Sequence, residues 1–382
     1  MIKDIKMSFN LKGITLLIFP SSTTIIKDVK LSTIKILKKN KINVSKIIME
    51  KNFFSIYTKE HIKASRILSS SLGIKKIEIA YSVPNEAKFI INKILNLGQK
   101  IIPNEKFYIK VLSDNPNFIA RDLEFMATGL LIEKLANKSS IPSKDEHSAN
   151  KIIITYIGKS KSYISFKSIK GIGGMTFGYL KKKVFIVIYD QYSIYCLKNV
   201  ILRGFIPNIL ILFWDCIDLK NKLFSIHNVL NNIHNNKIKL QLLQLNFLIS
   251  KEKYNKHNFL LDIIVIDICS YLNTLINVMF SFNLFVHPMW LIEYSFLSCI
   301  QKDKVPWFPC LFEENLLINL PSNNKFLKSS FNSPKENFTN FKERYRIRNR
   351  SLDLKQNIKT FYIEIKPLNV RPNYIDNILN SI

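Results

Sequence analysis

The distribution of glycine restricts the folds open to this chain more than any single motif does. Five of its ten glycines fall between Gly158 and Gly178, and none follows Gly204. At an average usage of roughly 7 %, the stretch after Gly204 would hold about a dozen. Main-chain amides close around a phosphate only where no Cβ stands in the way, so phosphate cradles are rich in glycine. The C-terminal half therefore reads as a fold released from that demand.

Hydrophobic periodicity divides the 382 residues into four parts, enough chain for two or three cores. Residues 1–82 alternate strand and helix: strand Ile14–Phe19, helix Lys27–Asn40, strand Phe53–Tyr57, helix His61–Leu72 closed by Gly73, strand Ile77–Val83. That order fits a small α+β sandwich. Residues 83–178 carry a helix over Ala87–Leu97 ended by Gly98, a strand over Phe107–Leu112 and a long helix over Ala120–Asn137. Leu123, Met126, Ala127, Leu130 and Leu131 share one face of that helix. After a polar loop at Lys144–Asn150, strands Ile152–Ile157 and Tyr163–Ile169 meet in a hairpin at Gly158–Lys161. In residues 179–322, two wholly apolar strands, Val184–Tyr189 and Ile209–Trp214, flank a helix over Ser193–Leu202. This is a βαβ unit with a parallel sheet, and Leu240–Ile249 and Leu260–Leu291 supply further layers. Residues 323–382 read as a basic linker and a short appendage from Phe341 to Ile382.

The formal charge of +28 points to a polyanionic partner, since Lys and Arg in such excess commonly neutralise phosphates. Lys outnumbers Arg 48 to 8, however, amid abundant Ile, Asn, Phe and Tyr, a bias that A/T-rich coding produces unaided. The five cysteines and six histidines are scattered without metal-binding spacing, which excludes a zinc motif and a disulfide framework and favours a reducing, cytoplasmic setting. The apolar run Ile14–Phe19 is too short for a signal peptide. Ile268–Ile292 carries no formal charge and is long enough to span a bilayer, which makes a membrane-associated protein one rival reading. Its Asn273, Asn277, Asn283 and His287 favour a buried helix followed by a core strand instead.

The strand Phe107–Val111, the helix Ala120–Asn137 and the hairpin running into Ser168–Gly178 resemble a THUMP domain. More narrowly, they look like that of the tRNA 4-thiouridine synthetases, the ThiI type of tRNA sulfurtransferase. There the last strand runs into a Lys-Gly-x-Gly-Gly-Leu-Pro-x-Gly linker; here Lys170, Gly171, Gly173, Gly174 and Gly178 keep their places while Met175 and Thr176 replace Leu-Pro. The join at Leu72–Ile74 also looks like the one between that family's N-terminal ferredoxin-like domain and its THUMP domain. The resemblance covers about residues 10 to 215. It implies an α+β N-terminal half, ferredoxin-like plus THUMP, followed by an α/β Rossmann-like PP-loop ATP-pyrophosphatase domain.

In that family the catalytic domain opens with a strand, a Ser-Gly-Gly-x-Asp-Ser loop and a helix ending in Arg-Gly. This chain keeps the strand and Arg203-Gly204, but the loop positions are Ile188, Tyr189, Asp190, Gln191, Tyr192 and Ser193, of which Ser193 alone matches. Tyr189 and Asp190 replace the glycines, so the loop is degenerate: it should reject ATP, and no cofactor is expected. Sulfur transfer would also need a reactive cysteine. Cys310 lies where the family has a cysteine-bearing turn, although a cysteine among aromatics and prolines is more often a core residue.

The implied partner is tRNA or another structured RNA. Its candidate contacts are Lys110, Arg121, Lys151, Lys159, Lys161, Lys167, Lys170, Lys181, Lys182 and Lys183, which flank the strands and linker that in the family grip the acceptor end. Arg344, Arg346, Arg348 and Arg350 would share one face of an extended strand, as a phosphate clamp or a solvated edge. A separate modification enzyme and a second copy of the chain are further possible partners. The rival from the enzyme class is an active tRNA sulfurtransferase with a rebuilt nucleotide site.

Overall fold

A computed structural model describes residues 13–22, 25–116, 118–230, 237–247, 260–282, 287–311, 358–364 and 373–381. The chain divides into two compact units, Met1–Thr176 and Phe177–Ile382. It is a mixed α/β protein with parallel and antiparallel pairing in both sheets.

The first unit is built on one sheet of eight strands in the order β2-β3-β1-β4-β8-β7-β5-β6. Its strands are β1 (Ile14–Pro20), β2 (Lys46–Met49), β3 (Phe54–Tyr57), β4 (Ile74–Pro84), β5 (Lys106–Ser113), β6 (Ile141–Pro142), β7 (Lys151–Ile157) and β8 (Lys161–Lys170). The boundary expected at residue 82 falls inside β4, which pairs with β1 on one side and β8 on the other. The two expected N-terminal domains therefore share one continuous sheet. Helices α1 (Ile26–Lys39), α2 (His61–Ser69), α3 (Ala87–Ile101) and α4 (Ala120–Leu135) contribute to its main core. In α1 the spacing of Val29, Thr33, Ile36 and Leu37 makes the buried stripe, while Asp28 and Lys38–Lys39 complement the helix dipole at its two ends. On the other side of the sheet a small cluster of Leu17, Phe53, Ala80, Tyr156 and Tyr163 is also closed to water.

Two local expectations are corrected here. Gly98 does not end its helix: α3 continues to Ile101, and a Cβ at Gly98 would stand 2.6 Å from Leu131 Cδ1. The glycine serves close packing of α3 on α4 instead of a cap. In α4 the buried stripe is Leu123, Ala127, Leu131 and Leu135, whereas Met126 and Leu130 face solvent. The helix is apolar nearly all round, so periodicity alone left its face undetermined. The glycine cluster itself is tied to the sheet: Gly171 N donates to Lys75 O, Gly173 N to Ile74 O and Gly73 N to Gly173 O.

The second unit has a six-stranded sheet in the order β13-β12-β9-β10-β11-β14. Strands β9 (Lys183–Ile188), β10 (Ile206–Phe213), β11 (Lys237–Gln244), β12 (Asn277–Met279) and β13 (Val305–Trp307) are parallel. Helix α5 (Gln191–Leu202) connects β9 to β10 as expected, and α6 (Cys216–Leu230), which the sequence pattern did not announce, follows β10. The charge-free run 268–292 breaks up: α7 (Leu260–Asp267) passes into a π turn over Ile268–Leu272, then β12, and later α8 (Met289–Ile300). Among the described residues no helix is long and apolar enough to cross a membrane.

The expected appendage does not stand apart. Strand β14 (Lys359–Glu364) pairs antiparallel with β11, and helix α9 (Asn373–Leu379) buries Ile375 and Ile378. The open edge of a parallel sheet leaves unpaired amides and carbonyls, and the C-terminal strand satisfies them. Arg344, Arg346, Arg348 and Arg350 lie outside the described residues.

Candidate functional site

Two places in this chain can be asked what they would bind. The first is the switch point of the second sheet. From β9 the chain crosses to β10, while β12 lies on the other flank of β9, so a crevice opens beyond the C-terminal ends of β9 and β12. The loop Ile188–Ser193 lies there, and it is occupied by its own side chains. Tyr189 is buried and donates from its hydroxyl to Asp262 Oδ1 on α7 at 2.8 Å, while Ser281 Oγ donates to the Tyr189 hydroxyl at 3.0 Å. His287, also buried, places Nε2 3.7 Å from the same Asp262 oxygen. Burial, reinforced by the nearby Asp262 and Asp190 charges, pushes the Tyr189 hydroxyl far above its ordinary pKa.

The start of α5 is closed as well. Asp190 is its N-cap: Ser193 N donates to Asp190 Oδ1 at 2.8 Å, while Tyr189 N and Asp190 N both donate to Ser193 Oγ at 3.1 Å. This reciprocal capping box uses the backbone donors that a phosphate would otherwise take. Gln191 is the exposed first residue of the helix; Tyr192 is half-buried, its ring edge-on to His287. Burial first, then the neighbouring Asp262, raises the Asp190 carboxyl above the usual carboxylate range. The Asp190 side chain turns onto its own helix and occupies the Ser193 amide.

The second place is a cleft of about 610 Å³ between β5 and the first half of α4. Phe107, Tyr108, Ile109, Arg121, Phe125, Met126, Thr128, Pro142 and Ser143 line it, together with the acidic Asp122 and Glu124. Phe125 is 83 % exposed and Ile119, just before the helix, 67 %. With Met126, also exposed, these side chains make an apolar patch on the surface beside the cleft. The helix is pinned beside the cleft because Glu124 Oε1 accepts from Val111 N of β5 at 2.7 Å. An exposed guanidinium next to exposed aromatic and thioether surface can stack or contact a flat ring and hold a phosphate beside it.

Of the predicted RNA contacts, the structure brings Arg121 alone into the cleft lining. Lys110 is paired with Glu146 at 2.6 Å, and that hydrogen bond raises its pKa; Lys151 lies 3.7 Å from Glu105. Lys159 and Lys161 sit at the β7–β8 hairpin, with Lys161 Nζ 5.5 Å from the Tyr57 ring, while Lys167 and Lys170 are exposed along β8. Lys181, Lys182 and Lys183 are exposed in the second unit. Sequence reasoning missed Tyr108, Phe125 and Met126. For Phe125 and Met126 the signal was an aromatic and a methionine side by side on an amphipathically ambiguous helix; Tyr108, on β5, gave none. Among the described residues no group of three or more His, Cys, Asp or Glu could hold a metal ion.

Neither a family model nor a curated protein sequence matches this chain. Solved structures do. One is a 4-thiouridine synthetase–RNA complex with bound ATP, similar over 92 % of this chain and 100 % of that one, with a TM-score of 0.60 at 10 % identity. Another is PH1313 from Pyrococcus horikoshii Ot3, with a TM-score of 0.53 at 16 % identity over 87 % and 98 % of the two chains. The fold is shared with these proteins.

Proposed function

We propose that this chain is a tRNA-binding protein of the THUMP kind that has kept the RNA-holding half of a 4-thiouridine synthetase fold and given up its nucleotide site. In this reading the first unit comprises ferredoxin-like and THUMP parts, and the second is a degenerate PP-loop domain. The observation that carries the reading is the β5–α4 cleft, where Arg121 and the exposed Phe125 offer an unpaired nucleobase a ring to stack on and its phosphate a fixed charge. The likeness in fold to a synthetase solved with RNA supports it. The exposed Lys159, Lys167 and Lys170 add charge that favours a backbone without reading its sequence. The protein would act in the cytoplasm as a holding module beside a separate modification enzyme.

The absence of nucleotide chemistry follows in this reading from Tyr189 and the capping box. An ATP phosphate would have to displace Ser193 Oγ and the Asp190 carboxylate from the same amides. Calorimetry with ATP should therefore register no binding, and micromolar affinity would promote the sulfurtransferase reading instead. For RNA, fluorescence anisotropy with tRNA across a salt series is decisive. Affinity should fall steeply with salt. Changing Lys159, Lys161 and Lys170 together to Ala should flatten the slope by roughly 0.7–0.9 for each phosphate that the variant no longer neutralises. Salt-independent or undetectable binding would remove the proposal.

A further inference from the structure

Within the second unit, two cysteines far apart in sequence meet inside the fold. Cys196 on α5 and Cys310 after β13 are 114 residues apart in the chain, yet their sulfurs lie 3.4 Å from each other. Both are closed to water. Asn199, one helical turn on from Cys196, donates from Nδ2 to the Cys310 sulfur at 3.3 Å, and the Cys196 sulfur lies 3.7 Å from the Phe280 carbonyl oxygen. We propose that Cys196 and Cys310 form a reversible disulfide, closed by a hydroperoxide and reopened by a thiol reductant.

The chemistry is set by this arrangement. Cys310, whose sulfur accepts from Asn199 Nδ2 and from the Cys196 thiol, is the nucleophile of this proposal and Cys196 the resolving thiol. The Cys310 thiolate takes the terminal oxygen of a hydroperoxide, releasing the alcohol, or water when the oxidant is hydrogen peroxide. The sulfenic acid so formed is attacked by the Cys196 sulfur; the S–S bond forms and a second water leaves, which balances two thiols and one peroxide against one disulfide and two waters. Bond formation needs the sulfurs to close by about 1.4 Å, from 3.4 Å to the roughly 2.05 Å of a disulfide. Since both sulfurs are buried, the oxidant reaches them through local opening of the fold, and the close partner then traps the sulfenic acid before further oxidation. The bond would tie α5, which begins at the closed turn Tyr189–Ser193, to the turn that follows edge strand β13. The other two buried thiols, Cys269 and Cys299, are a second neighbouring pair, and burial pushes Cys299 up to about 11 and Cys269 up as well. Cys216 is exposed on α6 and reacts without such a partner in the fold.

Full-length protein carrying Cys216→Ser, with four thiols left, isolates the buried set. It is treated with hydrogen peroxide, alkylated under denaturing conditions and digested without reductant. The expected result is a fall from four titratable thiols to two. A peptide pair joining Cys196 to Cys310 should appear at two hydrogens below the summed mass and vanish on adding dithiothreitol. Four surviving thiols, a bridge involving Cys269 or Cys299, or sulfinic acid at Cys310 without a bridge would each overturn the proposal. The mapping leaves both cysteines of the pair intact, so no folding defect of a variant enters the result.

Discussion

Helices α4 and α5 begin in opposite ways, and the contrast separates the two units chemically. At the start of α4 no side chain caps the helix; Arg121 and Asp122 are exposed, and Phe125 stands in water beside an open cleft. At the start of α5 Asp190 and Ser193 cap each other's amides and Tyr189 bridges Asp262 and Ser281, while the buried Tyr192 hydroxyl has no hydrogen-bond partner. A binding site needs groups left wanting a partner. The first unit keeps such groups around Arg121; in the second, Asp190, Ser193, Tyr189 and Asp262 are turned upon one another at the switch point of the sheet.

The largest effect expected from breaking this contrast comes from the far edge of the second sheet. Removing residues 358–382 would strip β11 of its antiparallel partner and uncover the apolar surface beneath Ile375 and Ile378. Scanning calorimetry should show the transition of the second unit abolished or the protein aggregating, while the first unit keeps its own transition. An unaltered profile would mean that β14 is dispensable.

Tyr189→Phe tests the closed switch point directly. It leaves the ring in place but strands Asp262 and Ser281 in a buried site, at a cost of about 1–3 kcal/mol in denaturant unfolding. RNA affinity should stay as it was. A cost below about 0.5 kcal/mol would mean that the network is not what closes the crevice.

Phe125→Ala should do the reverse. Stacking of one base is worth about 1–3 kcal/mol, so tRNA affinity should weaken roughly tenfold. An exposed side chain that supports no core should shift stability by less than about 0.5 kcal/mol. Equal affinity of the variant and parent would place the RNA away from the cleft.

The smallest effect concerns Asp190. Because its carboxyl is raised, the folded protein holds that proton over a range where the unfolded chain has already released it. Stability from this group therefore falls as pH rises from the ordinary carboxylate range, near 4, through the raised value. Asp190→Asn can still cap the helix and cannot ionise, so melting temperatures measured across acid pH should decline less with rising pH than those of the parent. Identical slopes would show that the Asp190 carboxyl titrates as it does in the unfolded chain.

Much of the layout was legible because it is local. The apolar runs of β9 and β10 around α5 announce a parallel βαβ unit, and Gly158–Lys161 announces its hairpin, since strand period and turn chemistry act within a few residues. Tyr189 and Asp190 were readable as bulky or charged side chains at the turn between β9 and α5.

What stayed hidden depends on partners distant in sequence. Gly98 reads as a helix stop until Leu131 is packed on it; α4 reads as burying Met126 and Leu130 until the sheet selects the Leu123–Ala127–Leu131–Leu135 stripe. The last strand reads as part of an appendage until β11 offers it an open edge more than a hundred residues away in the chain. Tyr189 meets Asp262 and Ser281 across 73 and 92 residues, and Cys196 meets Cys310 across 114. Composition determined that the half after Gly204 is without glycine, because that is a property of single residues. Which side chains fill the crevice, and which ring is left in water beside Arg121, was decided by tertiary packing alone, because contact energies depend on neighbours that only folding brings together.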